Sequence, residues 1–259
     1  MQIKGYLQTS VIEWPGKIAS VIFTFGCNFR CGFCHNAGLV DPSTSLRLRS
    51  GRAFRMTRLQ DYSEQSIIDD LEKRKKWVDA LVVTGGEPCL QPDLPEFLSK
   101  VKELGLLTMI ETNGSRPEIL ELLFKKKLLD RIAMDIKGPL DERYEEIIQN
   151  SKIPTSLKLR GAGKIQNEIK KSIEIILKSE VEYEFRTTVV PGIHNKKVLQ
   201  EILGQLKVLC SNIEYPVSSI SWKLQNFQPN NCLDPKFNNL KPFTEEEFEE
   251  MKKIGLLVS

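Results

Sequence analysis

Histidine is almost missing from this chain, which carries two, His35 and His194, among 259 residues. The sequence offers no Ser/His/Asp constellation. Long apolar runs are also absent: no stretch stays apolar for the ~20 residues that a membrane helix needs, and Met1 to Tyr6 has no basic segment followed by an apolar core. A cytoplasmic protein is expected. Charge of one sign is scarce as well. Lysine and arginine number 37 against 34 acidic residues, a formal charge of +3, which gives no reason to expect nucleic acid or membrane as a partner. No repeat of fixed period and no interdomain linker is visible.

What is present can build a sizeable core. The apolar fraction is 41% and the charged fraction 27%, both ordinary for a folded domain. Chains built from strand–helix pairs can reach this length without splitting, so residues 1–259 are read as a single α/β domain. Ile18 to Phe25 is an apolar, β-branched and aromatic run that reads as a buried parallel strand. Ser66 to Val78 has helical spacing of Ile67, Leu71 and Trp77, and Ala80 to Thr84 is the next strand. Helix and strand then alternate: Leu94–Leu104 with Leu106–Glu111, Pro117–Lys127 with Arg131–Ile136, Asn167–Ser179 with Tyr183–Val190, and Lys197–Leu209 with Ser219–Leu224. A last helix at about 244–254 opens on Thr244 and Glu247, a capping-box pair. About six βα units favour a parallel sheet with right-handed crossovers, and in closed or nearly closed barrels the chemistry sits at the C-terminal strand ends. The segment at about 41–64 breaks the rhythm. Its Arg47, Arg49, Arg52, Arg55 and Arg58 lack periodicity and suit a solvated loop or a docking surface for an acidic partner.

Six cysteines are present, and three crowd into Cys27-Asn28-Phe29-Arg30-Cys31-Gly32-Phe33-Cys34 just past the first parallel strand. Without a secretion signal, such thiols point to metal rather than disulfides. The C-x3-C-x2-C spacing lets three thiolates wrap one face of a cuboidal cluster and leaves one iron without a protein ligand, where Fe-S clusters normally take four cysteines. A zinc site completed by His35 is the rival reading, although structural zinc sites draw on two separated knuckles and His35 directly follows Cys34. Cys89, Cys210 and Cys232 lack such spacing and read as buried apolar residues. The later strands end in further polar segments. Gly85-Gly86-Glu87-Pro88 can bring backbone close to a ligand, and Glu111-Thr112-Asn113-Gly114 and Asp135-Ile136-Lys137 follow. Asp135 and Lys137 could be an ordinary pair on one strand face. Arg186, opening Arg186-Thr187-Thr188-Val189-Val190-Pro191-Gly192, could bind a ligand or a neighbouring acid. His194 reads as a loop residue, and Gln225-Asn226-Phe227 as a wall of a nucleoside pocket.

Taken with the Gly-Gly-Glu segment, the cysteine spacing resembles that of the radical S-adenosylmethionine (SAM) superfamily, whose fold is a partial (β/α)6 TIM-like barrel. The resemblance implies a 4Fe-4S cluster on Cys27, Cys31 and Cys34, whose open iron chelates SAM and whose electron releases a 5'-deoxyadenosyl radical. Cys34-His35-Asn36, Trp14-Pro15-Gly16, the E-T-N-G and D-x-K segments and R-x-x-V-x-P-G are similar to segments of glycyl radical enzyme activases. Among these are the anaerobic ribonucleoside-triphosphate reductase activating proteins and pyruvate formate-lyase activating enzymes. By that resemblance Asn36, Gly85, Gly86, Glu87, Glu111, Asn113, Asp135, Lys137 and Arg186 surround SAM, with Lys137 on its carboxylate and, in some members, a monovalent cation nearby. Glu111 stands where the activases carry aspartate. The implied partners are a glycyl radical enzyme and a low-potential electron donor such as ferredoxin or flavodoxin, with no membrane or nucleic acid. Two other functions share features with this reading: radical SAM chemistry on a small molecule such as a deazapurine precursor, and a zinc or Fe-S binding module without turnover.

Overall fold

The computed structural model describes residues 1–40, 60–149, 165–213 and 220–256. Seven strands form one sheet in chain order: β1 (Ile3–Ser10), β2 (Ala19–Thr24), β3 (Ala80–Gly85), β4 (Leu107–Thr112), β5 (Arg131–Asp135), β6 (Glu182–Val189) and β7 (Trp222–Asn226). The helices are α1 (Ala37–Val40), α2 (Glu64–Arg74), α3 (Leu94–Glu103), α4 (Pro117–Lys125), α5 (Arg143–Ile148), α6 (Ile165–Lys178), α7 (Lys196–Ser211) and α8 (Glu245–Leu256). The described residues divide into two compact units. One comprises 1–28, 38–112 and 118–133, and the other 29–37, 113–117 and the chain from 134 onward.

In the first unit β2, β3 and β4 are parallel neighbours, Ala19 facing Ala80 and Ala80 facing Leu107. Their inner residues Val21, Val82 and Met109 pack with Ala19, Ala80, Ala133 and Trp14 as one core. Strands buried on both faces need near-continuous apolar sequence; β2 supplies it apart from Ser20 and Thr24, and β3 supplies it from Ala80 to Val83. Ser63 caps α2 by accepting the Ser66 N–H at 3.1 Å, and Ile67 and Leu71, one turn apart, are fully buried. Trp77 corrects the expected helix. α2 stops at Arg74, whose carbonyl accepts from both Trp77 and Val78. The resulting turn buries Val78 and leaves Trp77 76% exposed.

Strand β1 is an addition to the expected architecture, pairing antiparallel with β2. Its residues 7–9 are exposed, so no apolar run announces it. Arg74 fastens it instead, donating to Tyr6 Oη at 3.0 Å and the Gln8 carbonyl at 2.9 Å while Asp70 accepts from Tyr6 at 2.6 Å.

In the second unit β6 and β7 run parallel, with Phe185 opposite Trp222. Buried Ile165, Ile169, Ile173 and Ile176 form the apolar stripe of α6. The capping box of α8 forms as its sequence implies: Thr244 N–H donates to Glu247 at 2.9 Å, and Glu247 N–H returns to Thr244 Oγ1 at 3.2 Å. The arginine-rich run up to residue 59 lies outside the described residues. No described helix is long and apolar enough to cross a membrane.

Candidate functional site

The first unit holds Cys27, the Gly-Gly-Glu segment and Glu111. Beyond β2 the chain runs through Gly26, whose N–H donates to the Leu39 carbonyl at 2.7 Å. Gly86 N–H donates to the Thr24 carbonyl at 2.9 Å and Glu87 N–H to the Gly26 carbonyl at 2.8 Å. The two segments touch backbone to backbone. A Cβ on Gly86 would stand 2.1 Å from the Gly26 oxygen, and one on Gly85, whose φ is +121°, would stand 2.3 Å from the Thr24 nitrogen. The glycines are therefore required by strand-end packing beside Cys27, whatever ligand they also approach. Glu87 is fully buried. Its Oε1 accepts from Cys89 N–H at 2.9 Å and Thr112 Oγ1 at 2.7 Å, capping a 3-10 turn over Pro88–Leu90. Burial and the Glu87 charge hold the Cys89 thiol well above its ordinary pKa. Glu111 accepts from Thr84 Oγ1 at 2.8 Å.

The second unit holds Cys31 and Cys34. Cys34 N–H donates to the Cys31 carbonyl at 3.0 Å, closing the C-x2-C turn. Arg30 N–H on the Ile148 carbonyl at 2.7 Å and Asp234 N–H on the Gly32 carbonyl at 2.9 Å hold the loop from two sides. Aromatic rings add to the hold: Phe33 meets Phe237 edge-on with centroids 6.1 Å apart, and His35 stacks on Phe227 at 5.8 Å. Phe227 thus belongs to this loop's surroundings. Asn226 Nδ2 donates to the Phe243 carbonyl at 2.8 Å.

Lys137 is a buried cation of this unit. Its Nζ lies 2.6 Å from Asp135 Oδ2, with the lysine side chain 15% exposed. Burial alone would lower its pKa, but Asp135 and the nearby Cys31 sulfur outweigh it and push the value up. Burial pushes the Cys31 thiol up to about 12 against the pull of Lys137, and burial likewise raises Cys34. Arg186 pairs with Glu184 at 2.6 Å. Asn113 Oδ1 accepts from Ser115 N–H at 2.9 Å, and Gly114, at φ +74°, has no room for a Cβ, which would meet Met134 Cε at 2.0 Å. Asn36 is exposed beside His35.

Three residues gain importance that sequence reasoning did not give them. Cys89, Cys210 and Cys232 are buried as expected, but burial and then the charge of Cys34 push the Cys232 thiol up to about 11, which places it in the neighbourhood of the C-x2-C turn. Tyr144 and His194 bracket Lys137: the Lys137 N–H donates to Tyr144 Oη at 3.2 Å and the Lys137 carbonyl lies 3.1 Å from His194 Nε2. Only the V-x-P-G turn ahead of His194 signals this from sequence.

All six cysteines are thiols rather than disulfides. No group of three or more Cys, His, Asp or Glu side chains placed to hold a metal ion occurs among the described residues. Within the second unit the donor chemistry fits an Fe-S cluster, because Cys31 and Cys34 lie on one closed turn near a lysine paired with Asp135.

A model of the radical SAM superfamily matches residues 21–202. A Methanocaldococcus jannaschii protein named "Putative glycyl-radical enzyme activating enzyme" is 31% identical over 98% of this chain and 91% of its own length. The pyruvate formate-lyase-activating enzyme of Listeria monocytogenes is 33% identical over 55% of this chain and 56% of its own. Among solved structures, TYW1 with a lysine-pyruvate adduct bound superposes on 93% of this chain and 74% of its own at a TM-score of 0.55 and 12% identity. SuiB of Streptococcus suis bound to S-adenosylmethionine covers 90% of this chain and 45% of its own at 0.56 and 16%. These two likenesses concern the fold alone.

Proposed function

The chain belongs to the radical SAM superfamily, and from that premise we propose that it activates a glycyl radical enzyme by removing a hydrogen atom from a backbone glycine of that partner. One observation carries the reading: the likeness to the Methanocaldococcus jannaschii protein runs over 98% of this chain at 31% identity, well beyond the motifs. Membership implies a 4Fe-4S cluster and SAM, which together supply a 5'-deoxyadenosyl radical when the cluster is reduced. Cys27, Cys31 and Cys34 would hold the cluster and leave one iron for SAM. Lys137, cationic and fixed by Asp135, suits the SAM carboxylate. The Gly85-Gly86-Glu87 segment, Glu111, Asn113, Asn36 and Arg186 would complete the surroundings of SAM, and Glu111 could contribute to a monovalent cation site. The partner we favour is an anaerobic ribonucleotide reductase, because the matched segments taken together, from Trp14-Pro15-Gly16 to Arg186-Thr187-Thr188-Val189-Val190-Pro191-Gly192, resemble its activating proteins. A ferredoxin or flavodoxin would supply the electron.

Anaerobic reconstitution with iron and sulfide, followed by dithionite and SAM, should yield 5'-deoxyadenosine. Addition of an anaerobic ribonucleoside-triphosphate reductase should then give a glycyl radical signal in its electron paramagnetic resonance spectrum. Prompt 5'-deoxyadenosine with no protein radical on this or any glycyl radical enzyme supplied would refute activation. Cys31→Ala should lose both iron and SAM cleavage, and full iron content with full turnover would refute the ligand assignment.

A further inference from the structure

We propose that His194 is a positioning residue for Lys137: together with Tyr144 it holds the lysine's backbone from both sides, so that the ammonium group is presented to SAM at a fixed height above the end of β5. This rests on the reading of the chain as a SAM-binding enzyme and adds to it a residue outside the strand-end motifs.

The geometry begins where the sheet stops. Ile136 is still held by β6: its N–H donates to the Arg186 carbonyl at 2.7 Å and its carbonyl accepts from Thr187 Oγ1 at 2.8 Å. Thr187 Oγ1 is itself fixed by Trp222 Nε1 at 3.0 Å. One residue later side chains take over from the ladder. Lys137 N–H donates to Tyr144 Oη at 3.2 Å, and the Lys137 carbonyl faces His194 Nε2 at 3.1 Å. Tyr144 is fully buried and His194 is 2% exposed. A chain leaving a strand end would otherwise offer these two groups to water and move with it.

The imidazole has one role at each nitrogen. Val190 N–H donates to Nδ1 at 3.0 Å, so Nδ1 carries no proton and Nε2 must be the donor to the Lys137 carbonyl. The turn that delivers the ring is equally fixed. His194 N–H returns to the Val190 carbonyl at 2.8 Å, and Gly192, at φ +83°, folds the chain between them. His194 therefore ties the end of β6 to the residue after β5. The ammonium at the far end of Lys137 is already held by Asp135, so backbone and head group are both constrained, and a cation fixed in advance binds a carboxylate without the ordering cost that a loose lysine incurs.

Two substitutions separate this role from a purely structural one. The Oδ1 of Asn sits near the position of Nδ1 and can restore the bond to Val190 alone. The Nε2 of Gln sits near the ring Nε2 and can restore the bond to Lys137 alone. SAM is titrated into the reduced, reconstituted holoenzyme, and its binding is followed by the change in the cluster's electron paramagnetic resonance signal, with iron and sulfide quantified in parallel. His194→Ala and His194→Asn should weaken SAM binding about tenfold with iron content unchanged, the order expected for one lost buried hydrogen bond. His194→Gln should recover most of the loss. In a Lys137→Ala background, His194→Ala should add nothing. Rescue by Asn but not Gln, unchanged SAM binding in His194→Ala, or a loss that persists without Lys137 would each overturn the proposal. If the wild-type protein failed to take up a cluster or bind SAM, the functional reading itself would fall.

Discussion

Gly86→Ala tests how the Gly-Gly-Glu segment is built. A Cβ at this position would stand 2.1 Å from the Gly26 oxygen and 2.7 Å from its carbonyl carbon. Both atoms are backbone, and the Gly26 backbone is itself held by Leu39 and by Glu87. No rotamer change relieves the clash. One of the two segments must move by about an ångström, which breaks the Glu87 to Gly26 bond and shifts the residue before Cys27. Overpacking of this kind costs about 3 kcal/mol, a fall in Tm of roughly 6–12 °C for a chain of this size. Thermal unfolding of the iron-free protein by circular dichroism measures the packing cost, and iron content after reconstitution measures the consequence at Cys27. We expect both to fall. A Tm within about 2 °C of wild type, with full iron retention, would mean that the close approach of the two loops is not what the glycine serves.

Two further outcomes follow from other positions. Gly204 lies exposed in α7, where an added Cβ would meet nothing within 4 Å and φ is not positive, so Gly204→Ala should stabilise the protein by about 0.5–1 kcal/mol in denaturant unfolding. Loss of stability there would contradict an open, regular helical environment. Burial lowers the His194 pKa from 6.5 to about 4; between those values the unfolded chain binds a proton that the folded chain refuses. Its contribution is complete above pH 6.5 and is lost as pH falls toward 4, to the extent of about 3 kcal/mol. His194→Gln should flatten the pH dependence of unfolding by roughly that amount over this window, and superimposable pH profiles for the two proteins would show that His194 is not buried neutral.

The parallel strands were legible because burial on both faces demands apolar sequence, and β2 and β3 obey it almost residue by residue. β1 was not, because its stability comes from hydrogen bonding by Tyr6, Gln8, Asp70 and Arg74, whose pairing spans more than sixty positions and leaves no local period. Trp77 misled for a related reason: apolar spacing continues through the helix end, and only the turn at Arg74 decides that Val78 rather than Trp77 goes inward. At the candidate site, motif residues could be named from the resemblance to the glycyl radical enzyme activases, but their supports could not. Tyr144 and His194 reach Lys137 from α5 and from the turn after β6, and Cys232 lies far along the chain from Cys34. Such contacts depend on the fold rather than on neighbouring sequence.

The protonation states around Lys137 bear on why two histidines suffice. Lys137 has its pKa pushed upward and stays cationic, burial raises the phenol of Tyr144 so that it keeps its proton, and His194 stays neutral down to about pH 4. Near neutral pH none of the three is poised to exchange a proton, whereas a general acid or base works best with a pKa close to the working pH. Groups tuned this way orient and neutralise charge. Under the proposed function these groups would orient SAM rather than exchange protons with it, which agrees with a reaction that needs no general acid or base.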